Sequence, residues 1–260
     1  MGTQSNLSGW ISKSSCEVRP PKKRKVISLF DQHGLSLLPW KQKGYECVAF
    51  NPKYSNRHCS GIEMITRSMK TVDQIRSILP PADEIEFLIC VPPCNDLCQA
   101  GARWWAKKAQ KDPEFQTRVI QFILDLHILL QQLANVKSVM LLPASARLKS
   151  IYKPPDFVFS PHEFAGYLPC GAPHPLFPDT IPIQDRYTKR TFVYTSNGVS
   201  CPCMKTLAPI FTELRSKSGI AKRISPVLAS RKQKEARCVV PLGFSYAMES
   251  VYATDSVHSD

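Results

Sequence analysis

The sequence predicts an α/β fold with a doubly wound, mostly parallel sheet, and three observations carry that prediction. Short apolar runs of strand length recur between segments of helical spacing, the order that builds βαβ units. One of these runs, Phe87 to Val91, is apolar without alternation, as in a central parallel strand covered on both faces. The chain is 260 residues long, enough for one such domain with tails.

Taken in order, residues 1–23 are polar and Ser-rich without periodicity and are expected to form a disordered basic leader. Its end, Pro20-Pro-Lys-Lys-Arg-Lys-Val26, resembles a short nuclear import signal, which would place the protein in the nucleus. It equally suits a basic strand start near a phosphate backbone. Val26 to Phe30 reads as the first strand, Asp31-Gln-His-Gly34 as a turn, Leu35 to Gly44 as a helix and Tyr45 to Phe50 as the second strand. Val72 to Leu79 gives a short helix stopped by Pro80-Pro81. Between Glu114 and Leu133 the apolar positions recur every three or four residues, an amphipathic helix lying on the sheet, and Val136 to Leu142 is the next strand. Lys153 to Pro182, rich in Pro and aromatic residues, reads as a long functional loop. Thr191 to Tyr194 is a strand, Pro209 to Leu214 begins a helix, and Lys217 to Arg237 is a broken basic stretch. The expected division is a cofactor-binding core over about 24–145, loops over about 146–237, a closing helix at 241–252 and a tail at 253–260.

Thirty-four Lys and Arg against 21 Asp and Glu leave a formal charge of +13, which favours a polyanionic partner, nucleic acid first. A charge kept for solubility is the competing explanation. The absence of an apolar run of about 18 residues or a secretory pattern predicts a soluble, non-secreted protein with no membrane partner. The 10 scattered cysteines read as reduced thiols. Cys170, His174, Cys201 and Cys203 offer possible metal ligands, but the Cys-x-Cys spacing is too tight for a usual zinc site and no metal is expected.

Chemistry concentrates where Phe87–Val91 runs into Pro92-Pro93-Cys94. The prolines end ladder pairing and stiffen the turn, so a thiol is presented at a strand's carboxyl end, where open α/β sheets bind ligands. Taken alone, a Cys after two prolines is more often a packed turn residue. The first strand offers a second ligand feature, because Gly34 permits a tight turn onto the next helix.

Several segments, in order, resemble the cytosine-5 DNA methyltransferases, most closely their small phage- and virus-type branch. They are Val26 to Trp40, Val91-Pro-Pro-Cys-Asn-Asp-Leu-Cys-Gln-Ala-Gly-Ala-Arg-Trp, Val139-Met-Leu-Leu-Pro-Ala-Ser145, Ile151-Tyr-Lys-Pro-Pro-Asp-Phe, Phe164-Ala-Gly-Tyr-Leu, Arg186-Tyr-Thr-Lys-Arg-Thr191 and Arg237-Cys-Val-Val-Pro-Leu-Gly-Phe244. The resemblance covers roughly residues 24–252. It implies a fold like that of the S-adenosylmethionine-dependent methyltransferases, S-adenosylmethionine as cofactor, double-stranded DNA as partner, and a nuclear or cytoplasmic setting in an infected eukaryotic cell. It also implies Cys94 as the nucleophile on cytosine carbon 6, with the base swung out of the duplex. Phe30, Asp31, Gly34, Asn51 and Pro92 fall at cofactor-binding positions: Phe30 would pack on adenine, Asp31 would accept from the amino-acid end and Asn51 would hold the ribose. Arg103, Arg186, Lys189 and Arg190 fall at nucleic-acid-binding positions, with an exposed basic turn as the competing reading of the last three.

Two departures stand out. Leu141 and Leu142 occupy the place of the family's catalytic Glu, an acid worth about two to four orders of magnitude in such chemistry. Asn51 replaces an acidic residue at the ribose, so its hydrogen bond lacks charge assistance. The alternatives are an enzyme, or a methyltransferase fold that binds DNA or a protein without turnover. Methylation of RNA is a third possibility, for which no second catalytic Cys can be placed.

Overall fold

The computed structural model describes residues 24–54, 58–215, 221–229 and 235–253. The leader and most of the import-like cluster, much of the basic stretch after Lys217 and nearly all of the tail lie outside the described residues.

The chain opens with β1 (Lys25–Leu29), a 3-10 turn, α1 (Leu38–Gln42), β2 (Glu46–Asn51), β3 (Glu63–Thr66) and α2 (Val72–Ile78). It continues through β4 (Ile85–Cys90), a 3-10 turn, α3 (Trp105–Lys111), α4 (Phe115–Gln132), β5 (Lys137–Pro143), α5 (Ala146–Ile151) and β6 (Phe157–Phe159). Last come β7 (Thr191–Ser196), β8 (Thr212–Arg215), β9 (Ala221–Ile224), α6 (Pro226–Ala229) and α7 (Leu242–Tyr252). Seven strands form one sheet in the order β3-β2-β1-β4-β5-β7-β6. The first five run parallel, and β7 runs antiparallel to both β5 and β6. The order reverses beside β1, so the carboxyl ends of β1 and β4 frame a topological switch point. This is the predicted doubly wound α/β architecture.

The apolar run of β4 has a direct cause. Phe87 and Ile89 enter the core on the face carrying α1 and α7, while Leu88 and Cys90 enter the core on the face carrying α4. Every residue of the strand is therefore dry, and alternation disappears. Trp40 of α1 stacks on Phe87 at 5.1 Å, and Tyr252 of α7 also stacks on it at 5.6 Å. The closing helix is thus pinned to the middle of the sheet.

Two expectations are corrected. Pro209–Leu214 starts no helix; β8 begins at Thr212 and pairs antiparallel with β9 within the predicted basic stretch. The Lys153–Pro182 loop contains β6, whose three residues complete the sheet edge against β7. The strand β3 and the helical segment Gln99–Lys111 are additions that periodicity does not predict. Strands of three or four residues show too little alternation to announce themselves.

Candidate functional site

At the end of β1 the chain turns sharply: Phe30 takes φ +65° and its N–H donates to the Phe50 carbonyl at 2.8 Å. The Asp31 carboxylate organises the loop beyond it. It accepts from the N–H groups of His33 (3.0 Å), Gly34 (3.1 Å) and Ser36 (3.1 Å), and from the Ser36 hydroxyl at 2.6 Å. All of these groups are buried. Asp31 therefore serves its own loop. Gly34 does bear the turn. It sits at φ +65°, and a Cβ there would lie 3.0 Å from the Met64 sulfur.

Phe30 is buried and meets Phe122 of α4 edge-on at 6.0 Å, so it forms part of the α4-side core. Asn51, at the end of β2, is also buried, and its Oδ1 accepts from the Lys53 N–H at 2.9 Å. Beside it stands a residue that no sequence signal singles out. The Tyr54 hydroxyl accepts from the Asn51 N–H and faces the carbonyls of Ala49 and Ile65, tying the ends of β2 and β3 together. Burial pushes this phenol up to about 12.

The β4 end is the second wall. The Val91 N–H donates to the Leu29 carbonyl at 2.9 Å, after which Pro92 is buried and Pro93 is exposed. The Cys94 carbonyl accepts from the N–H groups of Leu97 and Cys98, both at 3.0 Å, and so closes a tight turn. Gln116 of α4 donates to the Asp96 carbonyl at 2.7 Å, fastening that turn to α4. Gly101 is required here, because a Cβ would stand 2.7 Å from the Asn95 carbonyl oxygen. Lys70, Pro93, Asp96, Phe115, Val119 and Phe122 help to line a cleft of about 300 Å3 beside this loop. Asp96 and Asp112 on its rim pair with Lys108 and Arg118. Cys94 itself is not on the cleft wall.

Cys94 is half-buried as a residue, but its sulfur is the enclosed part and packs against the α4-side core. Burial pushes the thiol up to about 12; Lys189 pulls it down, and the neighbouring thiols Cys98 and Cys238 push it further up. Lys189 is a correction. Expected at a nucleic-acid-binding position, with an exposed basic turn as the alternative, its ammonium is enclosed and donates to the Arg237 carbonyl at 2.6 Å. Burial lowers its pKa, while Cys94, Cys238 and Cys98 act in the opposite direction. Chain order holds no sign of this, because Arg237 lies 48 residues further along the chain.

The other basic residues are dispersed. Arg103 lies 5.2 Å over the ring of Trp104, itself 52% exposed, on the 3-10 segment that follows the Cys94 turn. Arg186 donates from Nε to the Ala208 carbonyl at 2.8 Å, and Arg190 is exposed. The Arg190 carbonyl accepts from the Ala144 N–H at 3.1 Å, joining the β5 end to the start of β7. Leu141 and Leu142 are buried within β5, opposite Val193 and Phe192. One faces each core, and neither can supply a proton. Among the described residues no group of three or more His, Cys, Asp or Glu is assembled as a metal site. No described helix is long and apolar enough to cross a membrane.

No family model and no curated protein matches this chain. Among solved structures, the glycopeptide N-methyltransferase MtfA complexed with S-adenosyl-L-methionine is similar over 84% of this chain and 77% of that one. The identity is 11% and the TM-score 0.24.

Proposed function

We propose that this protein is a methyltransferase of the DNA cytosine-5 type, with S-adenosylmethionine as methyl donor and double-stranded DNA as substrate. The observation that carries this reading is a thiol on the turn that follows the central strand β4, beside the switch point. The cleft next to the Cys94 turn fits the flat, apolar part of the cofactor: Pro93, Phe115, Val119 and Phe122 give it hydrophobic walls suited to an adenine ring. When bound, S-adenosylmethionine would supply an electrophilic methyl group.

The chain's own residues would do the rest. Gly34 and the Asp31-capped turn hold the β1 loop against β3, and this loop would bind the cofactor. Cys94 would add through sulfur to cytosine carbon 6, a task for which a thiol is both nucleophile and leaving group. Arg103 and Arg190, with the exposed Trp104, would meet the phosphate backbone and an unstacked base.

A second reading is favoured by one specific observation: Leu141 and Leu142 are buried where the resemblance requires an acid. On that reading the protein binds DNA or a protein partner without turnover. A labelled-methyl transfer assay on duplex DNA separates the two. Incorporation that Cys94→Ser abolishes supports the enzyme, whereas retained DNA binding with no incorporation by the native protein defeats it.

A further inference from the structure

We propose that the outer face of α3 binds an unpaired nucleic-acid strand, with Trp104 stacking on a base and Lys107 and Lys111 on phosphates. The proposal extends the contact assigned above to Arg103 and Trp104, and it does not depend on methyl transfer. Its ground is an aromatic ring set among cations. Trp104 is the one aromatic ring among the large apolar side chains exposed in the described residues. It stays 52% exposed although the Arg103 guanidinium lies 5.2 Å over its ring. On the helix that follows, Lys107, Lys108 and Lys111 are exposed too. At 3.6 residues per turn these three and Trp104 fall within about 100° of one another, so they share one face.

The cations of this face divide between two tasks. Lys108 pairs with Asp96, which fastens α3 to the Cys94 turn. A second tie comes from Gly101, whose N–H donates to the Cys98 carbonyl at 2.8 Å and which packs closely on the Asn95 carbonyl. Lys107 and Lys111, by contrast, make no ion pair among the described residues. Asp112 at the end of α3 is paired with Arg118, which leaves Glu114, at the start of α4, as the next acid along the chain. From Trp104 to Lys111 the helix rises about 10 Å, enough to pass two or three phosphates of a strand. A duplex keeps its base faces stacked inside, whereas an unpaired strand offers Trp104 a ring face at every nucleotide. The formal charge of +13 draws in such a strand whether it is DNA or RNA.

The test measures fluorescence anisotropy of labelled oligothymidylate and oligouridylate of about 15 nucleotides, and of a duplex of equal length, from about 50 to 300 mM KCl. The full chain is used without cofactor. Wild type should bind the single strands about fivefold or more tighter than the duplex. Trp104→Ala should weaken single-strand binding about fivefold or more and leave duplex binding unchanged, while Trp104→Phe keeps most of the affinity. Lys107→Gln with Lys111→Gln should lower the slope of log affinity against log salt by about 1.4, at roughly 0.7 per phosphate contact. Lys41→Gln with Lys149→Gln, which removes the same charge from exposed positions on α1 and α5, should leave that slope unchanged.

Equal binding of duplex and single strands, wild-type binding by Trp104→Ala, or an equal fall in slope in the control pair would each overturn the proposal. If Trp104→Ala fails to fold, the exposed lysine pair decides. Tighter binding of the thymidylate makes the strand DNA, tighter binding of the uridylate makes it RNA, and equal binding means that stacking and phosphates alone are recognised. If these effects are found and no DNA is methylated, the surface stands and the methyltransferase reading falls. If DNA is methylated while Trp104→Ala binds strands as wild type does, the surface alone falls.

Discussion

Replacing Asp185 by Asn should flatten the pH dependence of stability between about pH 4 and 7 in a way that can be calculated. Asp185 is 2% exposed, sits at φ +54°, and its Oδ2 accepts from the Leu242 and Gly243 N–H groups at 2.5 and 3.2 Å, at the start of α7. Burial pushes its carboxyl up from an ordinary 3.8 to about 6, against the pull of those two N–H groups. Because the folded pKa lies above the unfolded one, the native state holds the proton more tightly. The contribution to stability is therefore fully present below 3.8 and is lost as pH rises through 6. Integrated from pH 4.5 to 7, the loss is about 2 kcal/mol. The Asn side chain can still accept from the helix N–H groups but has no proton to lose. Urea unfolding at the two pH values, with equal slopes, should show the wild type losing about 2 kcal/mol more than Asp185→Asn. Equal losses in the two proteins would refute the assignment, since the source would then lie elsewhere.

Two further outcomes rest on the packing. Gly243→Ala gains about 1 kcal/mol of helix propensity inside α7, but the new Cβ would stand 2.4 Å from the Phe164 carbonyl oxygen, a backbone atom. A net loss of about 1–3 kcal/mol is expected in chemical denaturation, and a stabilised variant would show that α7 yields at this contact. Asp31→Ala strands three buried N–H groups and leaves the Ser36 hydroxyl only its Ser28 partner, so roughly 3–5 kcal/mol should be lost in the same assay. A change below about 1 kcal/mol would mean that the β1 loop does not depend on that carboxylate.

The elements that are legible in the chain share one property: their signal is local and long enough to repeat. The helix α4 runs within one residue of its apolar periodicity, and β4 ends where Pro92-Pro93 forbids a ladder. The closing helix α7 begins after Pro241, as its sequence suggests. By contrast β3, β6, β8 and β9 have three or four residues each, and Thr212–Arg215 becomes a strand through pairing with β9 rather than through its own pattern. The candidate site divides in the same way. Cys94 at a strand end and Gly34 in a left-handed turn depend on neighbouring residues, whereas Tyr54 between two strand ends and Phe122 on the cleft wall do not.

Residue type and spacing along short stretches were enough for the α/β class, the apolar strand that leads to Cys94 and the lack of an acid at Leu141 and Leu142. Only the tertiary structure decided what each polar group faces. It turned the Asp31 carboxylate onto its own loop and set the Lys189 ammonium on the Arg237 carbonyl. The physical reason is that burial and electrostatic partnership are set by whatever packs across from a side chain. The partner of Lys189 lies 48 residues away along the chain, and those of Asp31, two to five residues away, meet its carboxylate only because the loop folds back on it.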